Sequence, residues 1–166
     1  MPTHEAVLAR LRAAGLDLPP AMPAVASYVP FVITQSAQGA LVHVAGQGPF
    51  RNGKLEHVGR IGENISADQA RAGARLVTLN VLAQAAAATQ TICGEPALQR
   101  VHCLRLGIFL NCVDGFAAMN EIADAASELI VTALAARGRH CRSVAGKPVL
   151  PMQTSVEIDG LFLVDR

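Results

Sequence analysis

The chain has 166 residues, 51% of them hydrophobic, and its 14 lysines and arginines nearly balance its 13 aspartates and glutamates. This length predicts one domain with one sizeable core. The near-neutral charge, with basic residues scattered along the chain, does not favour nucleic-acid binding. Only 16% of the residues are charged, which is low for a small monomer, so we expect a partner subunit to cover part of the apolar surface.

No apolar run approaches the roughly 18 residues typical of a membrane span. The N-terminal segment carries Glu5, Arg10 and Arg12 where a signal peptide would be apolar. We therefore expect a cytoplasmic protein that does not bind membranes.

The four cysteines are widely spaced and form no C-x-x-C pair. They are Cys93, Cys103, Cys112 and Cys141. This spacing fits neither a disulfide framework nor a zinc site, so we expect reduced, mostly buried thiols. The alternative is a catalytic Cys141 activated by its neighbours His140 and Arg142, but adjacent residues of a strand point to opposite faces.

Residues 3–15 predict a short helix that ends at Gly15, because Val7, Leu8 and Leu11 share one helical stripe. Three prolines follow, at positions 19, 20 and 23, and exclude regular helix. We therefore divide the chain into an N-terminal helix and linker, residues 1–24, and a single domain, residues 25–166.

The segments 25–34 and 40–46 are rich in β-branched residues and predict a hairpin. Pro30 cannot donate a ladder hydrogen bond, which indicates an edge strand or a bulge. A capping box at Ser66 and Gln69 predicts a long helix to about Thr89. One face of this helix consists of small or β-branched residues, namely Ala70, Gly73, Ala74, Val77, Val81 and Ala85.

The remaining segments complete an α+β pattern. They are a turn at Asn52-Gly53, a short strand within 54–62, a strand at 100–110, a helix at 116–137 and strands at 141–145 and 155–164. This order predicts a mixed β-sheet with two helices packed on one face.

Two charged residues on predicted strands are the candidates for chemistry, because charges in half-buried strands need a partner. They are Arg142 and Glu157. In one interpretation the two residues pair with each other or with surface groups. In the other, Arg142 clamps a ligand carboxylate through its planar fork of donors, and Glu157 handles protons or a water molecule.

The C-terminal region resembles the RidA/YjgF family in motifs of fixed spacing. The matching segments are Arg142-Ser143-Val144, Leu150-Pro151 and Val156-Glu157-Ile158. Upstream, residues 42–47 (VHVAGQ) resemble the second strand and its Gly-Gln turn, and Tyr28 falls where the family has a first-strand tyrosine. Asn120, four residues after Phe116, resembles the family's F-x-x-x-N. The resemblance covers about residues 25–164, and the pattern is closest to a longer, divergent branch.

This resemblance implies a chorismate-mutase-like fold, a homotrimer and clefts between neighbouring subunits. It also implies hydrolysis of enamines or imines derived from amino acids to 2-keto acids and ammonia, without metal or organic cofactor. Arg142 would bind the substrate carboxylate with the backbone at Gly46, and Glu157 would orient or activate water. Tyr28 and Asn120 would line the cleft.

The chain departs from the family pattern at a few positions near these residues. Val144 replaces a frequent cysteine, Ala123 replaces a frequent aromatic residue, and Pro148 interrupts the strand after the arginine. Two alternatives to the deaminase are therefore open: a catalytically silent trimer that binds small carboxylates, and the endoribonuclease (L-PSP) function often attached to the family. The ribonuclease is the weakest alternative. RNA cleavage would favour a pair of histidines or a groove rich in aromatic residues, and this chain has only 4% aromatic residues and no such pair.

Overall fold

The computed structural model describes residues 3–165. Its helices are α1 (His4–Ala13), α2 (Ala67–Cys93) and α3 (Met119–Leu134). Its strands are β1 (Phe31–Gln35), β2 (Gly39–Gln47), β3 (Phe50–Arg51), β4 (Lys54–Leu55), β5 (Val101–Asn111), β6 (Cys141–Lys147) and β7 (Val156–Asp165). The predicted α+β class is confirmed. The predicted division into residues 1–24 and 25–166 includes positions 1, 2 and 166, which lie outside the described residues.

Five strands form one mixed sheet in the order β1-β2-β7-β5-β6. Neighbouring strands are antiparallel except β5 and β6, which run parallel and are connected through α3. Strands β3 and β4 form a separate small hairpin, with the predicted Asn52-Gly53 turn at its tip. Strands β1 and β6 are therefore the two edges of the main sheet.

Helices α2 and α3 pack side by side on one face of this sheet. Strand β7 alternates strictly, because its even-numbered residues are buried toward the helices and its odd-numbered residues are half-buried on the other face. A Cβ placed on Gly160 would lie 3.2 Å from Val81 of α2, so the small residues of both elements let helix and sheet approach closely. The predicted small-residue face of α2 is buried throughout.

The limits of α2 follow from its sequence. The predicted capping box between Ser66 and Gln69 is present, with both reciprocal hydrogen bonds. The last helical residue is Cys93, and Gly94 caps the helix in the left-handed conformation, a common helix stop. The helix therefore ends later than the predicted Thr89. The expectation that no apolar run approaches the length of a membrane span is wrong for this helix, whose length and composition would suit one; 72% of its most apolar window is buried, as in a core helix.

The helix predicted over 116–137 is shorter in the structure, at Met119–Leu134. Two predicted strands differ more. Strand β1 begins only at Phe31. The carbonyl of Pro30 still accepts a hydrogen bond from the Ala45 N–H of β2, but the residues before Pro30 do not pair with β2, so Tyr28 lies in an irregular segment ahead of the strand. The predicted strand within 54–62 is limited to Lys54–Leu55. The irregular segment is the part of the chain that later forms one wall of the candidate site.

Helix α1 fixes the N-terminal segment to the domain. Val7 and Leu11 are fully buried. Arg10 donates from Nε and Nη2 to the carbonyl of Ala133, at 2.9 and 2.7 Å, and so satisfies an open acceptor at the end of α3. The linker therefore begins at a helix that is held against the domain.

Candidate functional site

Glu157 lies on β7, on the face of the sheet that the helices leave open. A bulge in β2 between Val44 and Gln47 brings Gly46 against this side chain. A Cβ placed on Gly46 would lie 2.3 Å from Glu157 Oε1, so the carboxyl group occupies the space that only a glycine leaves. Among residues 3–165, no hydrogen bond or ion pair engages the Glu157 carboxyl group.

Glu157 lines a groove of about 540 Å³. Its walls are the irregular segment 22–30, the end of β2 and the turn before β7. Tyr28 and Gly46 line it together with Glu157, so the structure brings these three predicted site residues together. The tyrosine side chain is half-exposed at the mouth of the groove.

The protonation of Glu157 is shifted by its surroundings. Burial raises the pKa of this carboxyl group above its ordinary value, and the nearby Asp159 carboxylate raises it further. A carboxyl group with a raised pKa can exchange protons closer to neutral pH than an ordinary glutamate.

Arg142 lies on the edge strand β6 and points to the other face of the sheet, toward α3. Its Nη1 donates to Ser127 Oγ at 2.9 Å, and its Nη2 lies 2.7 Å from Asp124 Oδ1. The same Nη2 reaches the carbonyl and Oδ1 of Asn120 at 3.5 and 3.4 Å. The structure therefore also brings the predicted residues Arg142 and Asn120 together, at the start of α3.

The two groups of predicted site residues are separated within one chain. Arg142 pairs in register with Leu106 of β5, and Leu106 pairs with Gly160 of β7, three residues from Glu157 and on the opposite face. Of the interpretation in which Arg142 and Glu157 pair with each other or with surface groups, the mutual pair is therefore wrong within one chain, whereas a surface partner of Arg142 is confirmed. Arg142 pairs instead with the exposed Asp124, and within one chain Gly46 lies with the glutamate rather than with the arginine.

Two partners of Arg142, Asp124 and Ser127, were not identified from the sequence. They follow the predicted Asn120 at spacings of four and three residues along α3, which places all three on one helical stripe. A polar stripe of this kind is the signal that would have identified them.

Two buried side-chain amides of α2 were also not identified from the sequence. Asn80 donates from Nδ2 to the carbonyls of Gly48 and Phe50, both at 3.0 Å. Gln84, one turn later, donates from Nε2 to the carbonyl of Met22 at 2.7 Å. Both are polar residues within a long apolar stretch, where a buried amide needs a partner.

The positions that depart from the family pattern have different environments. Ala123 is fully buried and faces the core, so it does not widen a surface cleft. Val144 packs against the core on the same side of β6 as Arg142. Strand β6 ends at Lys147, directly before Pro148, as the proline predicted.

The described residues contain no cluster of histidine, cysteine and carboxylate side chains that could hold a metal ion. Cys103 and Cys112 are buried, Cys93 is half-buried and Cys141 is exposed, and all four thiols are free. Burial raises the pKa of Cys103 to about 12, which keeps it an inert thiol. Cys141 Sγ donates a hydrogen bond to the carbonyl of Leu104 at 3.3 Å rather than to a histidine.

Comparison with known proteins places this architecture among related chains. Residues 8–163 match the family described as "YjgF/chorismate mutase-like, putative endoribonuclease". Protein TCP17 of Trypanosoma cruzi is 31% identical over 156 residues, which cover 93% of this chain and 92% of TCP17.

Solved structures give the same result. A protein of unknown function from Agrobacterium tumefaciens is 34% identical, with a TM-score of 0.86, over 98% of this chain and 94% of that chain. A "putative endoribonuclease" from Shewanella oneidensis is 32% identical, with a TM-score of 0.81, over 98% and 99% of the two chains. The E. coli YjgF gene product, 19% identical with a TM-score of 0.54 over 88% and 94%, shares the fold. The chain therefore belongs to the YjgF/chorismate mutase-like family.

Proposed function

We propose that the protein is a deaminase of the RidA kind, which hydrolyses reactive imines or enamines of amino acids to 2-keto acids and ammonia. The observation that carries this proposal is the Glu157 carboxyl group, which has a raised pKa and is held against Gly46 in the groove. Such a group is suited to proton exchange with a reacting water.

The reaction needs no oxidant or reductant. A water molecule attacks the imine carbon, the C=N double bond becomes a single bond, and Glu157 passes one water proton to the nitrogen, which gives a carbinolamine. Glu157 then transfers the carbinolamine hydroxyl proton to the amino nitrogen, the C=O bond forms as the C–N bond breaks, and the products are a 2-keto acid and ammonia. Arg142 binds the carboxylate next to the reacting carbon and fixes its position.

We further propose that the complete site forms between subunits of a homotrimer. Arg142 and Glu157 lie on opposite faces of one sheet, so one chain cannot present both to a small substrate. Arg142 lies on an edge strand, where a neighbouring subunit has access to it. The open sheet face and the groove mouth expose large apolar side chains, including Tyr28, Val29, Val32 and Leu104, which assembly would cover.

A second candidate is a trimer that binds small carboxylates without turnover. The observation that favours it is the Asp124 carboxylate, which already occupies Arg142 at 2.7 Å. A ligand carboxylate must then displace or share this internal partner. Binding of 2-ketobutyrate without imine hydrolysis would support this candidate over the deaminase.

The names of the family and of the Shewanella protein contain the word endoribonuclease. That activity has less physical support in this chain. Around the groove, the only charged residue in the described part of the chain is the acidic Glu157. An acidic, apolar groove repels a phosphodiester backbone rather than attracting it.

The test is an imine hydrolysis assay. An amino-acid oxidase with catalase generates the imine of 2-aminobutyrate, and semicarbazide traps whatever imine is left unhydrolysed. We expect the protein to lower the trapped fraction at catalytic concentration and Glu157→Gln to lose about 100-fold or more of that rate. Trapping unchanged by the native protein would contradict a deaminase.

A further inference from the structure

The walls of the Glu157 groove are fixed from one helix. Asn80 and Gln84 of α2, one turn apart and 6% and 2% exposed, hold two segments of the wall through their side-chain amides. Asn80 binds the carbonyls of the Gly48–Phe50 turn, and Gln84 binds the carbonyl of Met22 in the irregular segment. Leaving a buried amide unpaired is costly, so the groove has its shape before any ligand enters.

The groove offers apolar surface rather than polar partners. Its lining side chains are mostly apolar, among them Met22, Val25, Tyr28, Phe50 and Met152. Three of the lining residues are prolines, at positions 23, 30 and 151, and a proline has no N–H group to offer a ligand. Apart from Tyr28, the polar side chains that line it are Gln47, Asn80, Thr154 and Glu157, so a polar or charged substituent would find few partners to replace its hydration.

The groove is also larger than the smallest substrates need. Its volume is about 540 Å³, whereas a cavity of about 150 Å³ suffices for a benzene molecule. The imine group and carboxylate of a substrate occupy only the part next to Glu157. A substrate with a methyl side chain would therefore leave most of the apolar wall without a contact to the ligand.

We infer that the groove selects 2-imino acids with a large apolar side chain, such as those derived from leucine, methionine or phenylalanine. This inference rests on the proposed deaminase function and adds the substrate class. The segment Met22–Tyr28 is the specificity-determining wall, and Gln84 is the residue that positions it. Burial of additional methylene groups against such a wall favours the larger substrate, by roughly 10-fold or more in total.

The experiment measures kcat/KM for imines generated from alanine, 2-aminobutyrate, leucine and phenylalanine. We expect the leucine or phenylalanine imine to exceed the alanine imine by about 10-fold or more. A ratio near one, or a preference for the alanine imine, would overturn the inference.

Two variants test the wall itself. Ala24→Leu places extra volume on the segment, so the ratio of the rate with the phenylalanine imine to the rate with the alanine imine should fall. Gln84→Met keeps the volume of the side chain but removes the donor to Met22, so the preference should shrink toward one. Gln90→Met, an exposed amide at the end of the same helix, is the matched control and should keep the native ratio. Unchanged ratios in both groove variants would contradict the assigned wall.

Failure of the deaminase proposal is distinguishable from failure of this inference. If no imine is hydrolysed, the deaminase is wrong, and calorimetric titration with 4-methyl-2-oxopentanoate and pyruvate then tests the groove directly. Tighter binding of the larger keto acid, weakened by Ala24→Leu, supports the apolar selection. Equal binding of both keto acids overturns it.

Discussion

Arg142 and Asp124 form an ion pair across the gap between the edge strand β6 and α3, with 2.7 Å between Nη2 and Oδ1. The arginine side chain is 21% exposed and the aspartate side chain 56% exposed. An exposed pair of this kind contributes about 0–1 kcal/mol to stability. Its larger consequence concerns ligands, because Asp124 holds the same nitrogen that a substrate carboxylate would use.

Removal of the Asp124 charge should therefore strengthen ligand binding. We expect Asp124→Asn to tighten the binding of 2-ketobutyrate by up to about five-fold, which is the effect of about 1 kcal/mol. Calorimetric titration measures the change. Glu128→Gln removes an exposed charge from the same helix one turn later and should have no comparable effect. Weaker binding in Asp124→Asn would show that the aspartate holds Arg142 in place rather than competing for it.

Arg142 and Glu157 should act independently on stability and together on function. Arg142→Ala should abolish binding of keto acids, and Arg142→Lys should lose much of it, since lysine lacks the planar fork. Because the two side chains lie on opposite faces of the sheet, the changes in melting temperature of Arg142→Ala and Glu157→Gln should add in the double variant. A double variant more stable than this sum predicts would indicate a direct pair and contradict the structure.

Gly46 should be needed for the position of the Glu157 carboxyl group. In Gly46→Ala the new Cβ would lie 2.3 Å from Oε1, so the carboxyl group must move. We expect a loss of imine hydrolysis close to that of Glu157→Gln. In Gly48→Ala the nearest atom lies at 3.3 Å, on the Phe50 ring, and the loss should be clearly smaller. Equal losses in both variants would contradict a specific role of Gly46.

Because the pKa of Glu157 is raised in the folded protein, the free energy of unfolding should depend on pH. The folded protein holds the proton more tightly than the unfolded chain, so this contribution to stability is complete below the unfolded pKa and is lost as the pH rises through the folded pKa. Glu157→Gln is uncharged at every pH and avoids the loss. Its melting temperature relative to the native protein should therefore increase from about pH 4 to about pH 7. A gain that shrinks over this range would mean that the carboxylate is stabilised in the folded state.

The fold was predictable because local signals agreed with each other. The capping box at Ser66, the small-residue face of α2 and the alternation of β7 each determine one element, and the motif spacing from Arg142 to Glu157 indicates the family. The start of β1 was misplaced because the β-branched residues before Pro30 have strand composition but no pairing partner.

The arrangement of the site was only partly predictable. Sequence alone names Arg142 and Glu157 but not the faces on which they lie, because these depend on strand order and on the bulge before Gln47. The partners Asp124 and Gln84 are distant in sequence from the residues they bind, at Arg142 and Met22. Such long-range contacts follow from packing rather than from local pattern.

Mixed assembly of two inactive variants tests the central claim, that each site combines Arg142 of one subunit with Glu157 of its neighbour. Differently tagged Arg142→Ala and Glu157→Gln chains are co-expressed, and tandem purification isolates mixed oligomers, whose mass should be about three times 17.4 kDa. In a cyclic trimer of either composition, one interface in three joins a native arginine to a native glutamate, so roughly one-third of native activity should return. Mixed trimers that are no more active than either variant alone would contradict the shared site.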